Sequence, residues 1–263
     1  MNTLLKRLIL TLASCAVLVG IPAYGKKDKK ASSAKTKPVR NTEKLIDGLY
    51  AGVSGFGIPQ SDEEKIVKKG GAPTYGEILY ESEKTLLDDL PADLKENGVF
   101  YDFGSGVGKT CVQAYLDYPF KRVVGVELSH KRFSSAERIK NEMGKQGLLE
   151  KGRKLEFLNK DFAEIKPKDA SVIYMCSTCY SADLMTSLIT TFATTLKKGA
   201  CVITLKPFAE PTKFGFVEIK EYRLPMTWSK DIGGSPVHVY EYKDPKQGKK
   251  QAKLEKKHKA KKK

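Results

Sequence analysis

The chain has 263 residues, a formal net charge of +16, 40% hydrophobic residues, five cysteines and one tryptophan. That length supplies one α/β domain with a real core, and the few scattered cysteines exclude a small fold stapled by disulfides. The charge lies at the ends: residues 26–44 carry eight Lys/Arg against Asp28 and Glu43, residues 243–263 carry eleven Lys against Asp244 and Glu255, and residues 45–242 hold 26 basic and 27 acidic side chains.

Residues 1–25 begin with Lys6 and Arg7, run apolar from 8 to 19, and close on Gly20, Pro22, Ala23 and Gly25. This is the layout of a secretory signal peptide cleaved after Gly25. The 17 residues from 8 to 24 also reach the short limit of a membrane span, so an uncleaved anchor is the alternative. The chain is therefore expected to be exported or membrane-anchored, although the lysines just beyond residue 25 oppose translocation of that flank. Residues 26–44 and 243–263 bury too little apolar surface to fold and read as a basic disordered linker and a polylysine tail. Such segments suit contact with nucleic acid, a nucleosome or anionic lipid.

Residues 45–98 form a leading segment: glycine-rich from 48 to 57, helical over 62–69, broken at Gly70-Gly71-Ala72-Pro73, and helical again over 78–90 with Leu79, Leu86, Leu87 and Leu90 on one face. Residues 99–103 then read as a buried strand entering the turn Gly104-Ser105-Gly106-Val107-Gly108, followed by a helix burying Val107, Cys111, Ala114 and Tyr115. A second strand over 122–126 ends in Glu127, 19 residues beyond Gly108, where a carboxylate can accept from two ribose hydroxyls.

Three nucleotide sites share this outline. A phosphate-binding P-loop ending at Gly108-Lys109-Thr110 needs glycine at 103, which is Phe. A dinucleotide turn places its third glycine one residue later than Gly108 and has no acid at its mouth. Asp102 at that mouth would repel a pyrophosphate and suits the cationic amino-acid end of S-adenosylmethionine, so the site reads as a methyltransferase cofactor site. Further on, Phe133, Ala136, Ile139 and Met143 mark a helix, 155–158 a strand, 171–175 a strand, Leu184, Leu188, Phe192 and Leu196 a helix, and 200–205 a strand. Asp161 and Phe162, just past the third strand, are placed to take the adenine amine and ring. The last two strands, 216–222 and 237–242, lack a helix between them and are expected to pair as an antiparallel edge hairpin. The sum is a Rossmann-like class I methyltransferase sheet, mostly parallel and flanked by helices.

Taken together, these motifs resemble the non-SET histone-lysine methyltransferases of the disruptor-of-telomeric-silencing type. The resemblance runs from about Tyr75 to Tyr242. Tyr75-Gly76-Glu77 is similar to that family's cofactor-covering loop, Asp102 to Gly108 to its glycine motif, Gly125-Val126-Glu127 to its ribose-binding acid, Asp161-Phe162 to its adenine contact, and Lys206-Pro207-Phe208 to a run after its fifth strand. Trp228 matches a tryptophan that walls its lysine channel. The resemblance implies methyl transfer from S-adenosylmethionine to a protein lysine, for which no metal is required, and the chain is expected to be a monomer. It gives Tyr75, Glu77, Asp102, Gly104, Gly106, Glu127, Asp161 and Phe162 as cofactor residues, and Cys176, Ser177, Tyr180, Trp228 and Tyr240 as the acceptor channel.

The departures fall at the acceptor end. Cys176-Ser177-Thr178-Cys179-Tyr180 stands where the family has Asn-Asn-Phe-Ala-Phe, and Val239-Tyr240 where it has Tyr-Tyr. Cys176 and Cys179 also spell C-x-x-C, without a second ligand pair and without metal-ligand spacing to His130, His238 or His258. Cys111 and Cys201 lie in apolar element interiors and read as core. A methyltransferase for a small molecule or nucleic acid, and a non-catalytic module tethered to a polyanion, are the rival readings.

Overall fold

The computed structural model describes residues 41–245. The expected signal or anchor at 1–25, the linker as far as residue 40 and the tail from 246 onward lie outside the described residues. Among the described residues, no helix is long and apolar enough to cross a membrane.

The basic linker expected up to residue 44 gives way earlier, because helix α1 (Thr42–Leu49) starts there. Asn41 caps it, its Oδ1 accepting from the Lys44 N–H at 3.0 Å, and Ile46 and Leu49 are buried. Three more helices follow: α2 (Gln60–Lys68), α3 (Tyr80–Asp88) and the single turn α4 (Ala92–Lys95). From there strands and helices alternate as β1 (Val99–Phe103), α5 (Lys109–Asp117), β2 (Arg122–Glu127), α6 (His130–Lys145), β3 (Lys154–Asn159), β4 (Val172–Met175), α7 (Ala182–Thr195) and β5 (Cys201–Thr204). The hairpin β6 (Phe216–Leu224) and β7 (Ser235–Tyr242) closes the domain.

The seven strands form one sheet in the order β3-β2-β1-β4-β5-β7-β6. The first five are parallel; β7 runs antiparallel to β5, and β6 antiparallel to β7. This is the mostly parallel sheet with an antiparallel edge expected from the sequence. Its order reverses between β1 and β4, and such a switch point opens a crevice beyond the carboxyl ends of the strands.

Successive strand residues enter opposite cores, as the period of two requires. Phe100, Val123, Tyr174, Ile203, Val237 and Val239 pack with α1, α3, α5 and α6. Tyr101, Phe103, Val124, Ile173, Val202, Tyr240 and Tyr242 pack with α7. This parity decides one expected site residue. Asp102 lies two residues from Phe100 and so faces the α5 side, whereas Tyr240 is 1% exposed in the α7 core, its ring 4.9 Å from that of Phe208. Tyr240 is therefore a core residue rather than a wall of the acceptor channel.

Candidate active site

A cavity of about 380 Å³ opens at the switch point, lined by the glycine turn, the end of β2, the residues after β3 and β4, and the covering loop at 71–78. It gathers eleven of the thirteen expected site residues: Tyr75, Glu77, Asp102, Gly104, Gly106, Glu127, Asp161, Phe162, Cys176, Tyr180 and Trp228. Ser177 and Tyr240 are not among its lining residues.

The floor is the glycine turn. Gly104 and Ser105 both donate their backbone N–H to the Val126 carbonyl, at 2.8 and 3.1 Å, which ties β1 to β2 just before the chain turns away. Gly104 and Gly106 have φ of +89° and +55°, in the left-handed region. A Cβ on Gly104 would lie 2.5 Å from the Tyr180 hydroxyl, and one on Gly106 2.7 Å from the Tyr75 ring. Gly104→Ala therefore strains the backbone and fills the cavity at once. We expect it to weaken cofactor binding by at least about tenfold and to lower stability by about 1–3 kcal/mol, read by calorimetric titration and thermal melting.

Glu127 is almost fully buried at the end of β2. Its Oε2 accepts from the Gly106 N–H and its Oε1 from the Ser129 N–H, both at 2.8 Å. Each oxygen keeps a lone pair for a ligand hydroxyl. Burial pushes the carboxyl above its ordinary range, opposed by those two N–H groups and by the charge of Arg132. Asp102 is 2% exposed, and its Oδ1 has no hydrogen-bond partner. Burial, followed by the charge of Glu127, pushes it up to about 8. Two further orphaned atoms are the hydroxyls of Ser105 and Tyr174, both in residues lining the same cavity. Buried polar atoms without partners are uncommon in native proteins, and here three belong to residues that line one cavity.

Asp161 follows β3 and caps the short turn Phe162–Glu164, with Oδ1 accepting from the Ala163 N–H at 2.9 Å. Its Oδ2 pairs with Lys69 at 2.9 Å. The Phe162 ring stacks between those of Phe103 (5.5 Å) and Tyr180 (5.3 Å), and the Tyr180 hydroxyl donates to the Phe103 carbonyl at 2.8 Å. An apolar, aromatic wall thus stands beside an acid whose second oxygen is engaged only by an exposed lysine.

The covering loop is pinned from several sides. The Tyr75 hydroxyl donates to Glu77 at 2.7 Å, and Lys109 reaches the other Glu77 oxygen at 3.4 Å. The Glu77 N–H donates to the Thr227 hydroxyl and its carbonyl accepts from the Thr227 N–H. Trp228 lies against Gly76, where a Cβ would meet the indole at 2.3 Å. Arg132 holds the other side: its guanidinium covers the Tyr75 ring at 5.0 Å and donates to the carbonyls of Gly55 and Pro73.

Ser177 has a structural position. Fully buried, its hydroxyl lies 2.6 Å from that of Thr204 and accepts from the Lys206 N–H at 2.9 Å, joining the ends of β4 and β5. Ser177→Ala orphans that N–H and is expected to lower unfolding free energy by about 1–3 kcal/mol with cofactor affinity within about twofold, measured by denaturant melts and calorimetry.

Sequence reasoning missed Tyr50, Lys69, Lys109, Arg132 and Tyr174. Tyr50 braces the floor by donating to the Val107 carbonyl at 3.1 Å; the other four line the cavity. Lys109 alone carried a signal, as the first residue of the helix after the glycine turn.

S-adenosylmethionine fits these residues: an acid with a free oxygen for an ammonium, an acid with spare lone pairs for a diol, an aromatic wall beside a third acid, and glycines whose side chains would fill the space.

The profile of the family described as "Histone methylation protein DOT1" matches residues 56–224. Among curated proteins, the chain is 27% identical over 153 residues to "Histone-lysine N-methyltransferase, H3 lysine-79 specific" of Caenorhabditis elegans, across 56% of this chain and 16% of that protein. It thus spans about a sixth of that relative's length. Among solved structures, a putative RNA methyltransferase from Pyrococcus horikoshii aligns with a TM-score of 0.51 at 16% identity, over 78% of this chain and 98% of the other, which is a likeness of fold. The magnesium protoporphyrin IX methyltransferase of Synechocystis PCC 6803 aligns with a TM-score of 0.48 at 14% identity, over 78% and 99%.

Proposed function

Because the chain belongs to the DOT1 family of histone methylation proteins, we propose that it transfers a methyl group from S-adenosylmethionine to the side-chain amine of a protein lysine. The observation that carries this reading is the row of acids Asp102, Glu127 and Asp161 along one cavity, the first with an unpartnered buried oxygen. Asp102 would receive the cofactor's ammonium, Glu127 its ribose hydroxyls, and Asp161 with Phe162 its adenine. Lys69 must then share or yield Asp161. The cofactor supplies an activated methyl group, so the protein's task is to align the acceptor and exclude water. Ile78, Leu184 and Trp228 line the cavity among its polar groups, and apolar surroundings disfavour an ammonium, which favours the neutral amine that attacks.

The lysine-rich residues 26–44 and 243–263 support docking on a polyanionic substrate such as a nucleosome. Residues 1–25 support export or membrane anchoring, which cell fractionation with and without them would judge. The function is tested by offering labelled S-adenosylmethionine with nucleosomes, free histones and a lysine-rich peptide. Label on lysine that falls steeply with salt for nucleosomes and weakly for the peptide is the expected result. Label on nucleic acid or a small molecule instead of protein would overturn the acceptor class.

A further inference from the structure

The cavity contains two thiols, one of them expected at the acceptor channel and neither given a chemical task above. Cys176 and Cys179 both line it, on the turn between β4 and α7 that the Tyr180 N–H closes onto the Ser177 carbonyl at 2.9 Å. Both are free; Cys176 is half-buried and Cys179 exposed, while Cys111 and Cys201 are buried. Burial, then the charges of Asp102 and Cys179, push the Cys176 thiol up to about 12.

The turn is fixed at both ends. Ser177 is held by Thr204 and Lys206, and Tyr180 by the Phe103 carbonyl and by Lys206 on its own carbonyl. Cys176 and Cys179 stand three residues apart at the start of this turn, a C-x-x-C spacing that a disulfide closes when the two Cα atoms come within about 7 Å. Closure would draw the Cys176 sulfur from its place on the wall toward Cys179, in the segment expected to meet the acceptor.

We propose that Cys176 and Cys179 form a dithiol site for low-molecular-weight disulfides, and that its oxidation shuts off methyl transfer; the second half rests on the methyltransferase reading above. The exposed Cys179 thiolate attacks one sulfur of the small disulfide, forming a mixed disulfide and releasing one thiolate, which takes a proton from water. Cys176 then gives its proton to solvent and attacks the Cys179 sulfur, forming the internal disulfide and releasing the second thiolate. Two protein thiols are oxidised by two electrons, and one small disulfide is reduced to two thiols.

The test equilibrates the full chain in glutathione buffers from fully reduced to fully oxidised, alkylates it, and reads the peptide holding Cys176 and Cys179 by mass. The expected result is joint loss of both tags with a mass two hydrogens lower. Methyl transfer should fall by about tenfold or more and recover with dithiothreitol, while cofactor affinity changes less than about threefold. Cys179→Ser should keep the same rate in both buffers. Retention of both tags in the oxidised buffer would overturn the site. A disulfide that leaves transfer unchanged, or equal inhibition of Cys179→Ser, would overturn the shut-off. No transfer by the reduced chain would overturn the methyltransferase reading and the shut-off with it, while the peptide mass still judges the thiol pair.

Discussion

Glu127→Ala is expected to raise the dissociation constant for S-adenosylmethionine by about 10- to 150-fold, the 1.5–3 kcal/mol carried by hydrogen bonds to a charged group. The same substitution should also lower the stability of the empty chain. Both carboxylate oxygens already accept backbone N–H groups, Gly106 on one side and Ser129 on the other, at 2.8 Å. Removing them orphans two donors in a buried site and frees the glycine turn that shapes the floor. Glu127→Gln separates the two contributions. It retains the volume and one acceptor oxygen, but must place an NH2 group against one of those N–H donors. Calorimetric titration with thermal melting of both variants decides the role. Affinity lost in both variants with a smaller melting shift in the glutamine form assigns Glu127 to the ligand. Unchanged affinity with a lowered melting temperature would leave it as a brace of the turn alone.

The cofactor end was legible in sequence because its signals are local and tied to the backbone. A strand of alternating parity, a glycine turn and an acid at the end of the next strand are each set by residues close in the chain, and the parallel sheet then brings Asp102 and Glu127 to one mouth. Residues that join through the fold left no such signal. Arg132 is one charged residue among several on α6, and only its approach to Gly55, Pro73 and the Tyr75 ring separates it from a solvated arginine. Helix α1 was hidden by the glycines from 48 onward, although Asn41 is a capping residue and Ile46, Leu49 and Tyr50 form a buried face. The misplacement of Tyr240 has a simple geometric cause. Matching Val239-Tyr240 to a Tyr-Tyr pair kept the aromatic residue but ignored the period of two, and it is Val239 that shares the α5 face with Asp102.

Asp102→Asn is expected to weaken cofactor binding by at least about tenfold at pH 8–9 and to flatten its pH dependence, because the lost charge is the partner of the ligand's ammonium. Asp102 sits at about 8, held up first by burial and then by Glu127, against roughly 4 for an exposed carboxyl. Below pH 8 the empty site holds a proton that a cationic ligand must expel. Affinity for S-adenosylmethionine should therefore rise by up to about tenfold per pH unit toward pH 8 and level off above it. The stability of the empty chain runs the other way. The unfolded chain ionises first, so stability is lost progressively as pH rises from about 4 to about 8, and Glu127 and Glu83, both also raised by burial, add to the same slope. Asp102→Asn removes that penalty, so the variant should melt at or above wild type at pH 9 and close to it at pH 5. Calorimetry in two buffers of different ionisation enthalpy reads the linkage directly, with close to one proton released per cofactor bound at pH 7 in the wild type and close to none in the variant. Equal proton release in the two proteins would remove Asp102 from the ammonium site and leave that place to Glu77, the remaining cavity carboxylate, beside Lys109 in the covering loop.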